Sequence, residues 1–430
     1  MLLFPCRQVL LVSVAVLAPA ACAQPPAEPQ TPDVITRDSA GIEIVENHAP
    51  VWGPGDFWTV APEPEFSLGG YDTSAGPARD SSHLVWNIRA AAPLSDGRIA
   101  MLSSMADRKV LVFEPSGALT AAFGRKGRGP GELNYPLHLR VLPGDTIVVW
   151  DYMSGPIYHY DPSGNLLKES RIDTQRLIEA TRSAELYPGE SMHEPLPDGS
   201  FLLERRRRNW QPPTRAGEIY RRPTEYLRID TGYTVHSFGW WEAEEELSMR
   251  DPFDPNYVPF SARSSATAGG YPLSVYVTNG DRYEVHQFSP DGLLRRIIRR
   301  TVDPVPIEDQ RQRERVEDMQ ELNSHMNWSA WDRVFATVPD RNHPPITGLF
   351  VDSEGYLWIP DPANWLGGTI EFSVFDPDGR WLGNVALEYR PYWIGEGLVV
   401  GGRSDRDIGV LTIAGFRLDR RGLLGEKQPG

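Results

Sequence analysis

VLVFEPSG (residues 110–117) and IYHYDPSG (157–164) share a cadence that returns as EYLRIDTG (225–232), YEVHQFSPDG (283–292) and FSVFDPDG (372–379). Each is an alternation of aromatic or aliphatic residues running into a turn that ends on glycine. Proline presets an early turn position and glycine accepts positive φ at the last, so each segment reads as a strand entering a tight hairpin. A second series of turns interleaves with this one. Gly97, Gly144, Gly199, Gly270, Gly355 and Gly397 alternate strictly with Gly117, Gly164, Gly232, Gly292, Gly379 and Gly422. The interval from Gly97 to Gly117 has room for a second strand, a connection and a third strand. Every unit is therefore a four-stranded antiparallel meander, and six in series describe an all-β, six-bladed β-propeller that closes radially.

Closure should leave a trace at the chain ends. After Gly422 only LLGEKQPG remains, too short for a good fourth strand, whereas FWTVAPEPEFSLGG (57–70) is an orphan. Its ending, Phe66 to Gly69, resembles the fourth-strand endings at Phe123-Gly124 and Phe238-Gly239. Residues 57–69 are expected to complete the last blade, with IEIVE (42–46) adding a further edge contact. The propeller is placed at 41–425. Three stretches depart from the repeat: a helical insertion at about 305–335 between blades four and five, an Arg-rich loop at 209–226, and an acidic, aromatic inter-blade loop at 240–257. Insertions of this size belong on one face, where they shape a binding surface.

Residues 1–23 combine one Arg, an apolar run from Val9 to Leu17 and a small-residue ending, the pattern of a secretory signal too short to span a bilayer. Ala21-Cys22-Ala23 fits simple cleavage; Ala20-Ala21-Cys22 fits the end of a lipobox and would make Cys22 a lipidated N-terminus. A Pro-rich tether, 24–40, follows. The expected location is a periplasmic or outer-envelope lipoprotein, or a secreted protein. With Cys6 removed, Cys22 alone is left, so neither an intramolecular disulfide nor a thiolate metal cluster can form. The chain carries 58 acidic and 43 basic side chains, formally −15, which argues against nucleic acid as a partner. Membrane contact is expected only through a lipid anchor, and the protein is expected to be monomeric.

The run AAFGRKGRGPGELNYPLHLRVLPGDTIVVWD (121–151) resembles an NHL-type repeat junction, with Gly124, Gly127, Gly129, Pro130, Gly131 and Glu132 matching G-x-x-G-x-GPGE. Residues 38–425 as a whole resemble the bacterial six-bladed propeller family of exported proteins and lipoproteins, many of unassigned function. DSAGIEIVEN, the expected helix before PPITGLFVDSEGYLWI and the closing blade match that pattern. The resemblance implies architecture and export, and brings no catalytic residues.

Polar residues on innermost strands are the first candidates for a site in the central channel: Asn87, Arg89, His138, Arg140, His193, Glu194 and Arg263. Propeller lyases and lactonase-like hydrolases hold a metal there through His or through Asp, Asn and Glu. His138 and His193, near the starts of adjacent inner strands, are the candidate ligands for a divalent metal, and a third ligand is not evident. The alternative use of these side chains is hydrogen bonding around a water-filled channel. Arg205 to Arg208 cannot all converge, because neighbours on a strand point to opposite faces. No nucleophile elbow, phosphate loop, H-E-x-x-H or C-x-x-C is present, so the sequence leans away from an enzyme. The expected function is a ligand- or protein-binding scaffold at the cell envelope, recognising a partner protein, peptide or glycan. The rival is a metal-dependent lyase or lactonase-like hydrolase. No cofactor is established by either reading.

Overall fold

In the computed structural model the N-terminal stretch forms β1 (Val34–Ser39), β2 (Ile42–Asn47), β3 (Thr59–Val60) and β4 (Phe66–Gly69). Blade one is β5 (Ile88–Pro93), β6 (Ile99–Ser103), β7 (Lys109–Phe113) and β8 (Leu119–Phe123). Blade two is β9 (Pro136–Leu142), β10 (Thr146–Asp151), β11 (Pro156–Tyr160) and β12 (Leu166–Arg171). A helix, α1 (Thr174–Thr181), precedes blade three: β13 (Met192–Pro195), β14 (Phe201–Arg206), β15 (Ile219–Ile229) and β16 (Val235–Leu247). Blade four is β17 (Ser265–Gly269), β18 (Ser274–Thr278), β19 (Glu284–Phe288) and β20 (Leu294–Arg300). Blade five is β21 (Phe350–Val351), β22 (Leu357–Pro360), β23 (Ile370–Phe375) and β24 (Trp381–Leu387). Blade six is β25 (Arg390–Gly395), β26 (Leu398–Ser404) and β27 (Leu411–Asp419), completed by β4, which pairs antiparallel with β27 from Gly69↔Thr412 to Phe66↔Gly415. The chain is a six-bladed β-propeller of antiparallel blades, closed by its N-terminal strand as the orphan segment requires. The structure describes residues 33–69 except 54 and 56, 87–104, 108–151, 155–181 except 172, 192–248 except 208, 209 and 216, 258–308, 317, 341–362, 368–404 and 411–420. Residues 33–430 make one compact unit, and residues 1–32, with the expected signal, Cys22 and most of the tether, lie outside the described residues.

Burial explains the strand sequences. The second strand of a blade is covered on both faces by neighbouring blades, so IAMLS in β6 is buried at every position and LWIP in β22 likewise. The fourth strand faces outward, and LLKESR in β12 is exposed at all but one position. At both kinds of turn a glycine takes positive φ. In blade three Tyr233 (φ 67°) occupies that position instead of Gly232, and Gly422 lies outside the described residues. The turn carboxylates bind their own backbone: Asp161 accepts from the Ser163 and Asn165 amides at 2.9 Å, and Asp376 from those of Asp378 and Arg380 at 3.0 and 2.9 Å.

All the tight turns lie on one face, because each joins a first to a second or a third to a fourth strand. Connections from second to third strands, and from one blade to the next, leave from the opposite face. The chain leaves Arg171, Leu247 and Arg300, the ends of β12, β16 and β20, from that face.

Two expected loops are corrected. Residues 219–226 and 240–247 are strand, not loop: β15 and β16 continue past the end of β14, which pairs only with Thr224–Ile229. The extension is a two-stranded ribbon held by Arg221–Glu242 (3.1 Å) and Arg222–Glu246 (2.8 Å) ion pairs. An Arg-rich segment and a Glu-rich one are each unremarkable as loops, but facing each other they neutralise across the ladder. In the expected helical insertion, residues 305–308 are not helical, Glu317 is, and the others up to 335 lie outside the described residues. Helix α1 was not anticipated; Leu177 seats it against Leu203, Leu227 and Ile229 of blade three.

IEIVE does make an edge contact, on blade four. β2 runs parallel to β20, and β1 pairs back on β2. The segment then passes blade five, where the Val51 and Trp52 amides donate to the Trp381 and Leu382 carbonyls at 2.9 Å. Gly383 makes this approach available, since any Cβ there would collide with the Trp52 ring. Asn47, fully buried, donates to the carbonyls of Arg299 and Gly379 (both 3.0 Å) and accepts from the Trp381 amide (2.8 Å), bridging blades four and five.

Candidate functional site

Six inner strands (β5, β9, β13, β17, β21 and β25) surround the axis, and each begins at the face that carries the long connections. Asn87, Arg89, His138, His193, Glu194 and Arg263 sit at or near those beginnings and share one end of the ring; Arg140 lies further along β9, toward the tight-turn face. Their side chains do not all share its centre. A strand's side chains alternate between its two sheet faces, and in a propeller those faces look at the neighbouring blades.

His138 stacks on Trp150 with ring centroids 5.2 Å apart and planes 15° from parallel, within the sheet of blade two. Arg140 borders an apolar cavity between blades two and three. Glu194 accepts from the Ala268 amide at 3.0 Å and lies 3.5 Å from the Thr267 hydroxyl, tying blade three to blade four. Asn87 takes positive φ (52°) ahead of β5, and its carbonyl accepts from the Ser104 amide. His193 is on β13 at a register shift, and its side chain lies outside the described residues. Among the described residues no three His, Cys, Asp or Glu side chains gather to hold a metal ion.

What the structure does bring together is a set of arginines. Arg390, at the start of β25, is solvent-accessible, yet its pKa is pushed down first by partial desolvation of the guanidinium and then by the positive fields of Arg89 and Arg263, against the opposing influence of Tyr392. Arg89 lies on the exposed side of a bulge in β5, and Arg263 just precedes β17. Blades one, four and six thus each send a guanidinium to the mouth of the channel. Tyr392, whose hydroxyl donates to the Ile88 carbonyl at 3.0 Å, locks β25 against blade one beside them. Arg263 is shared with a cleft of about 220 Å3 that also holds Glu204 and Glu244, and its guanidinium lies 3.4 Å from the Thr347 carbonyl. Sequence reasoning found Arg89 and Arg263 and missed Arg390. Placing RPYWIG beside NIRAAAP as equivalent inner strands would have found it.

The ribbon of blade three leans over the same face. Arg221 donates to the Asn279 carbonyl (2.7 Å), the Glu242 amide donates to the Asn279 side chain (3.0 Å), and Glu245 pairs with Arg341 at 2.5 Å. Beneath it, above blades four and five, opens a cavity of about 870 Å3 bordered by Glu245, Asp281, Arg282, Arg300 and Arg341. One wall is rigid: the Arg300 guanidinium lies 3.6 Å from the Trp381 ring centroid and donates to the Ser373 hydroxyl at 2.5 Å.

The DUF5128 six-bladed β-propeller family matches residues 83–187, the span of blades one and two. No curated protein matches the chain. Among solved structures, the chain is similar to a Bacteroides fragilis protein whose name describes it as exported (13% identity, 87% of this chain and 99% of that one, TM-score 0.43). It is also similar to a member of the DUF4221 family from Bacteroides vulgatus (9% identity, 85% and 99%, TM-score 0.47) and to a streptogramin B lyase (10% identity, 77% and 94%, TM-score 0.36). Among the described residues no helix is long and apolar enough to cross a membrane.

Proposed function

We propose that this chain is an exported binding protein of the cell envelope, with NHL-type blades, that takes an anionic group of its ligand at the channel mouth on the long-connection face. The observation that carries the reading is the Arg89, Arg263 and Arg390 cluster, in which the first two disfavour the charge on Arg390, in a chain with fifteen surplus negative charges. A like-charge cluster of this kind is stabilised by an incoming carboxylate or phosphate, which guanidinium binds in a two-pronged fashion. The ribbon and the polar cavity beside it supply surface for the remainder of a peptide or glycan. Signal cleavage, with or without acylation of Cys22, would deliver the chain to the envelope.

The test is titration calorimetry of acidic against neutral oligosaccharides and peptides, with the wild type and the Arg89→Ala, Arg390→Ala double variant. Binding of acidic ligands that weakens roughly ten-fold or more in the variant supports the reading, the scale of one charge-assisted hydrogen bond. Indifference to the ligand's charge, or equal binding by the variant, overturns it. Metal analysis of the same preparations addresses the lyase or hydrolase reading: stoichiometric divalent metal lost on His138→Ala, His193→Ala substitution would favour catalysis instead.

A further inference from the structure

At five of the six blade junctions a continuous apolar cluster joins the neighbours, as Leu94, Ala100, Leu133, Ile147 and Tyr160 do between blades one and two. At the junction of blades two and three the described apolar residues fall into two small clusters, one around Leu177 and Leu203, the other around Val148 and Ile157. Between them is a cavity of about 260 Å3. Protein interiors seldom leave such a space, and one lined by apolar groups stays dry until a ligand enters.

Its two walls differ in kind. Blade three and α1 supply Leu177, Leu196, Phe201, Leu203 and Ile229. Blade two supplies a cross-strand row, Arg140↔Val148↔His159↔Lys168, whose side chains the register puts on one sheet face. The opposite face of the same blade, with Leu139, Val141, Ile147, Val149 and Tyr158, is apolar and packed on blade one. Three basic side chains thus stand among Leu142, Val148 and Ile157 on the face that borders the cavity. Among the described residues no carboxylate pairs with Arg140, His159 or Lys168. Asp230, also at the border, is occupied by the Gly232 and Thr234 amides (both 2.8 Å) and stands 3.8 Å from His236. A basic row that runs from half-buried Arg140 and His159 to exposed Lys168 beside an apolar wall suits a molecule with an apolar body and an acidic head.

We propose that the cavity between blades two and three is a binding site for a small anionic amphiphile, a carboxylate on an aliphatic chain, with the chain against Leu177, Leu203 and Ile229 and the carboxylate on Arg140 and Lys168. It is separate from the channel mouth and does not rest on the function proposed for it. The probes are decanoate, decanol and decylamine below their aggregation limits, followed by calorimetry and by displacement of a fluorescent fatty acid. Decanoate should bind the wild type roughly ten-fold or more tightly than decanol, and decylamine should not bind. Arg140→Gln with Lys168→Gln should bring decanoate down to decanol, leaving decanol unchanged. Val148→Phe should fill the space and abolish both. Equal affinity for decanoate and decanol, no binding of either, or charge and filling variants that bind decanoate like the wild type would each overturn the proposal. The charge variants alter half-buried or exposed positions, so the test stands even where Val148→Phe disturbs folding.

Discussion

Single side chains set how the ring is held. Asn47 is the clearest case, because its amide satisfies three backbone groups from two blades at once. Asn47→Leu keeps the volume and leaves those groups buried without partners, so denaturant unfolding should show a loss of about 3 kcal/mol. A loss below about 1 kcal/mol would mean that water replaces the amide. His159 makes a different prediction. Burial, and secondarily Lys168, hold its pKa below the ordinary 6.5. The groups around it are Arg140 and Lys168 from blade two, Arg171 at the blade's edge, and Asp230 and Tyr233 from blade three. A histidine whose folded pKa is depressed binds fewer protons folded than unfolded, so its contribution is present above pH 6.5 and is lost as pH falls below it. Scanning calorimetry of His159→Gln between about pH 7.5 and 5.5 should therefore show a smaller drop in Tm than the wild type. An equal drop would assign the acid sensitivity elsewhere.

Among the elements, the ribbon of β15 and β16 is the one that sequence reading mistook. EAEEEL has no apolar alternation and its partner contains Pro223, so neither half carries a strand signal by itself. Only their juxtaposition, Arg221 and Arg222 against Glu242 and Glu246, makes a ladder. Arg221 is the clasp: besides Glu242 it donates to the Ala243, Glu242 and Asn279 carbonyls at 2.7–2.9 Å. Arg221→Ala should cost about 2 kcal/mol and raise amide hydrogen exchange over 240–247 while leaving β14 protected. Uniform exchange across blade three would show that the ribbon has no independent motion. The described glycine turns were legible for the opposite reason: their chemistry is local, four residues deciding a φ sign. Inner-strand roles were only partly legible, since whether Glu194 faces the axis or blade four depends on the tilt of whole sheets.

For the molecule as a whole, the sequence displayed both the repeat and the means of closing it, because a ring of identical units must borrow its missing strand from the far terminus. Phe66 and Leu68 of β4 are buried in the cluster that joins blades six and one. A chain lacking residues 1–32 should melt as the full chain does, whereas one lacking 1–69 should lose its cooperative transition in scanning calorimetry. Two sharp transitions of equal cooperativity would show that blade six can close alone. The long-connection face was legible as a statement about where insertions go. Its arginine cluster was not, because the three residues come from blades far apart in sequence and meet only around the axis.

The course of residues 33–69 around the outside also decides how the protein responds to force. A pull on the N-terminus meets β1 first, peeling it from β2, then the parallel seam between β2 and β20, then the two bonds at Val51 and Trp52, and only afterwards the closing strand. Tension arriving from that end is spent on sacrificial attachments arranged in series, a mechanical fuse that lets the hairpin give way while the ring stays shut.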